Sequence, residues 1–163
     1  MFHTAPLTAA DPLETYAELA RQAEGLLAGE RDWIANAANI AALVYTSLPD
    51  LNWAGFYFLK DDMLVLGPFQ GKPACVRIAV GRGVCGAAVA RRQTLCVEDV
   101  NEFPDHIACD AASRSELVVP LIAGDRVLGV LDLDSPTPSR FGAADQAGME
   151  RIAAIFLTAS AAP

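Results

Sequence analysis

The sequence predicts an α+β domain in which helices cover an antiparallel sheet. Apolar residues recur at helical spacing near both ends of the chain, and the middle contains two pairs of strand-like segments joined by short turns. Strands in sequential hairpins with helices at the ends favour an antiparallel sheet with helices packed on it. A chain of 163 residues that is 53% hydrophobic can bury the core of one domain.

Two amphipathic helices are predicted near the start of the chain. Asp11 and Pro12 are typical of a helix start, and apolar residues then recur at three- and four-residue steps as far as Leu27. Asp32 introduces a second segment of this kind, which Pro49 ends.

Strand-forming residues dominate the middle of the chain. Segments 53–59 and 63–69 flank a polar turn and predict one hairpin, and segments 117–123 and 127–133 flank a Gly-Asp turn and predict a second. The other predicted elements are short strands at 76–80 and 94–97, a short helix at 83–90, a polar loop at 98–112 and a closing helix at 142–157.

Composition excludes several classes of protein. The 12 Lys and Arg against 20 Asp and Glu give a formal charge of −8, so a nucleic-acid site on a broad basic face is not expected. The longest apolar stretch, 152–162, is shorter than the about 20 residues that a membrane span needs. The start lacks a secretory signal, so we expect a cytoplasmic protein with a flexible arm over 1–10 and a single domain over 11–163.

Four cysteines are the first candidates for chemistry. No C-x-x-C motif occurs, so a bound metal is not expected. No other bound cofactor is expected either. Cys75, Cys85 and Cys109 fall in loops or at element ends, where a thiolate can be both exposed and positioned for redox chemistry. Cys96 lies within a short strand and is interpreted as a buried hydrophobic residue, and His106 as a surface-loop histidine.

Three acidic residues of the second hairpin are the next candidates. Asp132 and Asp134 share one face of a strand, and Glu116 begins the partner strand. A simple two-residue turn places Glu116 opposite Leu133, on the other face, whereas a loop with an odd number of residues or a β-bulge places it opposite Asp132 or Asp134. Pro120 cannot donate a ladder hydrogen bond, so a bulge near it is plausible. The alternative is a set of solvated acids at a strand end.

Trp53 and Tyr57 share a face of the first predicted strand because they are four residues apart. Core packing is the favoured interpretation of this pair. The alternative is the wall of a pocket for a small apolar group.

Several segments resemble the free methionine-(R)-sulfoxide reductases, a family built on a GAF domain. These are Gly71 to Cys85, Glu98 to Ser113, Ser115-Glu116 and Val130 to Ser135, and the similarity covers about residues 30–157. The resemblance implies a six-stranded antiparallel sheet flanked by helices, a homodimer, and thioredoxin as the external reductant. It also implies a role in oxidative stress.

The resemblance assigns roles to three of the cysteines. Cys109 attacks the sulfoxide sulfur and becomes a sulfenic acid, which a second cysteine displaces to form an intramolecular disulfide. Cys75 is the first choice for this second cysteine, with Cys85 as the alternative. Thioredoxin then reopens the disulfide by thiol exchange. Cys96 is outside the family pattern and receives no role.

The resemblance also accounts for the acids and the aromatic pair. Crowded carboxylates cannot all ionise easily, so one of Glu116, Asp132 and Asp134 keeps a proton for the leaving oxygen, and another binds the ammonium group of a free amino acid. Trp53 and Tyr57 then contact the methyl group. A different hypothesis is a GAF sensor that binds a small molecule or a redox signal without turnover, but such a sensor would not need these cysteines and acids together.

Overall fold

Helices and strands follow one another in the order that the sequence predicts. The computed structural model describes residues 4, 7, 11–104 and 110–162. In chain order the elements are α1 (Pro12–Leu26), α2 (Trp33–Ser47), β1 (Trp53–Lys60), β2 (Met63–Gly71), β3 (Arg77–Ala79), α3 (Gly83–Arg91), β4 (Leu95–Val97), a 3-10 turn (Val100–Glu102), β5 (Ser115–Ala123), β6 (Arg126–Ser135) and α4 (Ala143–Ala159). The arm predicted over 1–10 lies outside the described residues apart from Thr4 and Leu7, so its flexibility stays a prediction.

The six strands form one sheet in the order β3-β2-β1-β6-β5-β4, and every neighbouring pair is antiparallel. The two hairpins therefore join through β1 and β6, which places Trp53 opposite Asp134. This arrangement confirms the predicted α+β class and the six-stranded antiparallel sheet.

The two faces of the sheet carry different cores. Phe56, Leu117 and Leu133 belong to the larger core, in which α1, α2 and α4 pack on one face. Tyr57 and Val118 face the other side, where α3 and the loops around β3 cover the sheet. Because side chains alternate along a strand, the even-numbered residues from Glu116 to Val118 on β5 and from Val130 to Asp134 on β6 face α3. None of the helices in the described ranges is long and apolar enough to cross a membrane.

The second hairpin contains the bulge on which the acid cluster depends. Ala123 pairs with Arg126 across the two-residue turn, but the register shifts between Leu121 and Ile122, and Glu116 pairs with Asp134. The prediction that a bulge near Pro120 brings the acids onto one face is therefore confirmed.

Glycine is required beside this bulge. Gly129 has a φ of +156°, and a Cβ there would collide with the backbone carbonyl oxygen of Tyr57 on β1. The close approach of β6 to β1 thus depends on the absence of a side chain at Gly129.

Candidate active site

A cavity of about 40 Å³ lies on the α3 side of the sheet, where β1, β5 and β6 meet α3 and the loop between β2 and β3. Its walls include three types of chemically active side chain, which are acids, a thiol and an amine. The acids are Glu116, Asp132, Asp134 and Asp110, the thiol is that of Cys85, and the amine is that of Lys72. The sheet register therefore gathers the three predicted acids at one cavity.

The acid cluster, which we define as Glu116, Asp132 and Asp134, is buried from water. Glu116 is 6% exposed and Asp132 is 5% exposed, and Asp134 is half-buried beside them. Burial raises the pKa of both Glu116 and Asp132 well above the ordinary carboxyl range, and the neighbouring carboxylates raise it further. Burial also raises the pKa of Asp134 to about 7, against an opposing hydrogen bond from Ser113. The cluster therefore holds protons at neutral pH.

Cys85 contributes a thiol to the same cavity. It lies in the first turn of α3, is 3% exposed, and donates a long hydrogen bond to Oε1 of Glu116 at 3.8 Å. Burial, followed by the charges of Asp132 and Glu116, raises the pKa of this thiol well above its ordinary value. Cys85 is a free cysteine, and at neutral pH it is a thiol rather than a thiolate.

Cys75 lies in the loop before β3 and is disulfide-bonded. The hydroxyl of Tyr57 donates a hydrogen bond to the backbone oxygen of Cys75 at 3.0 Å, which connects this loop to β1. Cys109 and His106 lie outside the described residues. The nucleophilic role of Cys109 and the surface position of His106 therefore stay predictions.

Trp53 and Tyr57 both pack in the core and line the cavity. Their rings stack with centroids 5.8 Å apart, and the ring of Phe69 stacks on the other side of Trp53 at 5.2 Å. Core packing and a position in the pocket wall are therefore both observed for this pair, because the edge of the smaller core is also the cavity wall.

A polar network at the cavity rim was missed by the sequence analysis. The side-chain amide of Asn52 donates to Oδ2 of Asp110 at 3.3 Å and to Oγ of Ser113 at 3.0 Å. A hydrogen bond from the backbone N–H of Ala112 holds the pKa of Asp110 below its ordinary value. The ion pair with Lys72, at 3.4 Å, lowers this pKa further. Asp110 and Ser113 fall within a segment that carries the family resemblance, but Asn52 lies 58 residues earlier and gives no local signal.

The prediction that Cys96 is buried is wrong. Cys96 is exposed, and its thiol donates a hydrogen bond to the backbone oxygen of Phe141 at 3.2 Å. The reason is that β4 has only three residues and forms an edge of the sheet, so one side of it has no neighbouring strand. Cys96 does not line the cavity.

Comparison with known proteins identifies the family. The GAF domain model matches residues 11–159. A free methionine-R-sulfoxide reductase from Escherichia coli is 57% identical over 141 residues, which cover 86% of each chain. The chain belongs to the free methionine-R-sulfoxide reductase family.

Further relatives agree with this family membership. A free methionine-R-sulfoxide reductase from Saccharomyces cerevisiae is 44% identical over 82% of this chain and 78% of that protein. The X-ray structure of the reductase from Neisseria meningitidis, in complex with its substrate, superposes with a TM-score of 0.93 at 43% identity and covers 98% of this chain and 95% of the other. The family and the GAF fold predicted from the sequence are confirmed.

Proposed function

We propose that this chain reduces free methionine-(R)-sulfoxide to methionine. The observation that carries the proposal is the placement of the acid cluster and Cys85 around one cavity, next to the loop in which Cys75 is disulfide-bonded. The relatives from E. coli and S. cerevisiae carry the name of this activity, and the relative from N. meningitidis was solved with its substrate.

Cys109 is the proposed nucleophile. Its neighbour Asp110 lines the cavity, so the chain reaches the acid cluster at this point. The thiolate of Cys109 attacks the sulfoxide sulfur, the oxygen passes to the cysteine sulfur as a sulfenic acid, and methionine leaves. Glu116 is the proposed acid for the oxygen, because its raised pKa keeps a proton available at neutral pH.

Cys75 is the proposed resolving cysteine. Its thiol displaces hydroxide from the sulfenic acid of Cys109, and the hydroxide takes a proton and leaves as water, so one disulfide forms for each sulfoxide reduced. The disulfide at Cys75 supports this assignment, whereas Cys85 is free and its raised pKa makes it a poor nucleophile. Cys85 then has a secondary role at most in resolution.

The cavity walls favour a free amino acid as substrate. Trp53 and Tyr57 offer an apolar surface for the S-methyl group. Asp132 and Asp134 offer carboxyl oxygens that accept hydrogen bonds from the ammonium group, which a methionine residue inside a protein chain lacks. Backbone amides near Cys109 are the proposed partners of the substrate carboxylate.

Thioredoxin is the proposed reductant. Cys75 is half-buried, and the side chain of its neighbour Val76 is 63% exposed, so an apolar surface lies next to the disulfide. We also propose a cytoplasmic homodimer, with the exposed Leu13 of α1 and Ile34 of α2 as candidate interface residues. Light scattering after size exclusion, with and without Leu13→Glu, tests the dimer.

A coupled assay tests the activity. The protein is incubated with each epimer of free methionine sulfoxide together with thioredoxin, thioredoxin reductase and NADPH. We expect NADPH loss with the R epimer alone, and equal use of the S epimer, or no turnover, contradicts the proposal. A protein that binds the sulfoxide without turnover would instead be a GAF sensor.

Cysteine variants test the roles. Cys109→Ser should abolish even a single turnover, whereas Cys75→Ser should release one equivalent of methionine and then recycle poorly. Cys96→Ser is the matched control and should retain full activity because Cys96 lies away from the cavity. Normal multiple turnover by Cys75→Ser would assign resolution to Cys85.

A further inference from the structure

We propose that Cys85, Glu116 and Asp132 form a binding site for one thiophilic divalent cation, with Zn²⁺ as the best fit. One ligand atom from each side chain lies within 4.8 Å of the other two, and all three residues are buried. The sequence analysis predicted no metal site, because these ligands come from α3, β5 and β6 and form no spacing motif.

The distance between the ligand atoms of Cys85 and Glu116 is close to that of a tetrahedral zinc site. Zinc binds cysteine sulfur at about 2.3 Å and carboxylate oxygen at about 2.0–2.2 Å, so the sulfur and the oxygen lie about 3.5 Å apart around a tetrahedral ion. Sγ of Cys85 and Oε1 of Glu116 lie 3.8 Å apart. A movement of a few tenths of an ångström suffices to bring both atoms onto one ion.

The third ligand has an oxygen for which the described residues offer no hydrogen-bond partner. This atom is Oδ1 of Asp132, which is inaccessible to solvent, although Asp132 is 5% exposed and lines the cavity. Buried polar atoms in proteins nearly always have a partner, so a carboxylate oxygen left unpartnered beside a cavity points to a ligand site. A cation bound to Oδ1 supplies that partner.

Charge also favours a cation. Among the described residues that line the cavity, Lys72 is the one basic side chain, and it pairs with Asp110 at the rim. The described part of the wall therefore contains no basic side chain other than Lys72. Once their protons have left, a divalent cation balances the charge of Glu116 and Asp132.

The donor set selects the metal. Thiolate is a poor ligand for Mg²⁺ and Ca²⁺, which prefer oxygen, whereas Zn²⁺ and Cd²⁺ accept sulfur together with carboxylate oxygen. The ion replaces the proton of the Cys85 thiol and the protons that Glu116 and Asp132 hold at neutral pH, and all of these are released to solvent. A cavity of about 40 Å³ has room for the ion and a water as the fourth ligand, since one water needs about 10–15 Å³.

The site is present while the disulfide is intact. Cys85 is free in the same structure in which Cys75 is disulfide-bonded, so the oxidised protein retains the thiol and both carboxylates. If the proposed function holds, the ion occupies the place of the substrate, and Zn²⁺ inhibits competitively with methionine sulfoxide.

Cadmium titration of the oxidised protein tests the site without any need for turnover. In a Cys96→Ser background, which removes the exposed thiol, Cd²⁺ should bind one ion per chain and produce the ultraviolet band of a single cadmium thiolate. Zn²⁺ should displace it. Adding Cys85→Ser should abolish the band, and adding Asp132→Asn or Glu116→Gln should weaken binding at least tenfold.

The matched control is Asp110→Asn, which removes a carboxylate from the same cavity but not from the ligand set, and it should change binding by less than threefold. A band that persists in Cys85→Ser, unchanged affinity in Asp132→Asn and Glu116→Gln, or no binding by the Cys96→Ser protein overturns the proposal. Circular dichroism checks that each variant is folded, and the near-isosteric Asp132→Asn decides the question if Cys85→Ser does not fold. The coupled assay without added metal, in the presence of a chelator, tests the proposed function separately.

Discussion

Asp134 gives a quantitative prediction about stability and pH. Its pKa rises from the ordinary 3.8 to about 7, chiefly because the folded chain buries it. Each pKa unit corresponds to about 1.4 kcal/mol, so ionised Asp134 costs the folded state about 4 kcal/mol. The cost is absent below pH 3.8, grows between pH 3.8 and 7, and is complete above pH 7.

Asp134→Asn removes this cost and keeps an oxygen that can accept the hydrogen bond of Ser113. The variant should therefore have a free energy of unfolding about 2–4 kcal/mol higher than the parent at pH 8 and nearly equal at pH 3.5. The lower end allows for relaxation of the half-buried carboxylate toward water.

Urea unfolding of the oxidised protein at the two pH values measures the difference, since the disulfide is kept the same in both proteins. Asp110→Asn is the control, because the pKa of Asp110 is lowered rather than raised, and it should not stabilise the protein at pH 8. A stabilisation by Asp134→Asn that is the same at both pH values, or absent at pH 8, refutes the reasoning.

Three further predictions concern the bulge, the loop before β3 and the acid. Gly129→Ala should lower the free energy of unfolding in urea by about 1–3 kcal/mol, because its Cβ collides with the backbone of Tyr57; a change below about 0.5 kcal/mol contradicts the close approach. Tyr57→Phe should cost about 1 kcal/mol in the same measurement by removing the hydrogen bond to Cys75, and an unchanged value shows that this bond adds nothing. Glu116→Gln should lower kcat/KM for the R epimer about 10²–10⁴-fold in the coupled assay, because an amide cannot donate the proton; activity within about threefold of the parent assigns the proton to another group.

Local patterns along the chain were sufficient to predict the helices and both hairpins. The alternation of β6 placed Asp132 and Asp134 on one face, and the register of a two-residue turn showed that Glu116 joins them only if the loop is odd or the hairpin contains a bulge; the structure has the bulge. These inferences need no knowledge of distant contacts, because hairpin register depends on the turn and on nearby backbone donors.

Contacts between distant segments could not be predicted in this way. Asn52 meets Asp110 and Ser113 because β1 pairs with β6, and no periodicity in the sequence indicates which strands of the two hairpins become neighbours. The prediction that Cys96 is buried failed for the same reason, since a strand pattern does not show whether the strand lies at an edge of the sheet.

Odd and even positions of β5 and β6 serve different purposes, with Leu117 and Leu133 packed beneath the helices and Glu116 and Asp132 at the cavity. A slip of β6 by one position would move carboxylates into the apolar core beneath the helices and leucines to the acidic cavity. Burial of unpaired carboxylates would cost a large part of the about 5–15 kcal/mol by which a folded domain is typically stable. Insertions and deletions in this hairpin should consequently be far less tolerated than substitutions, and the same constraint that keeps the chain folded preserves its chemistry.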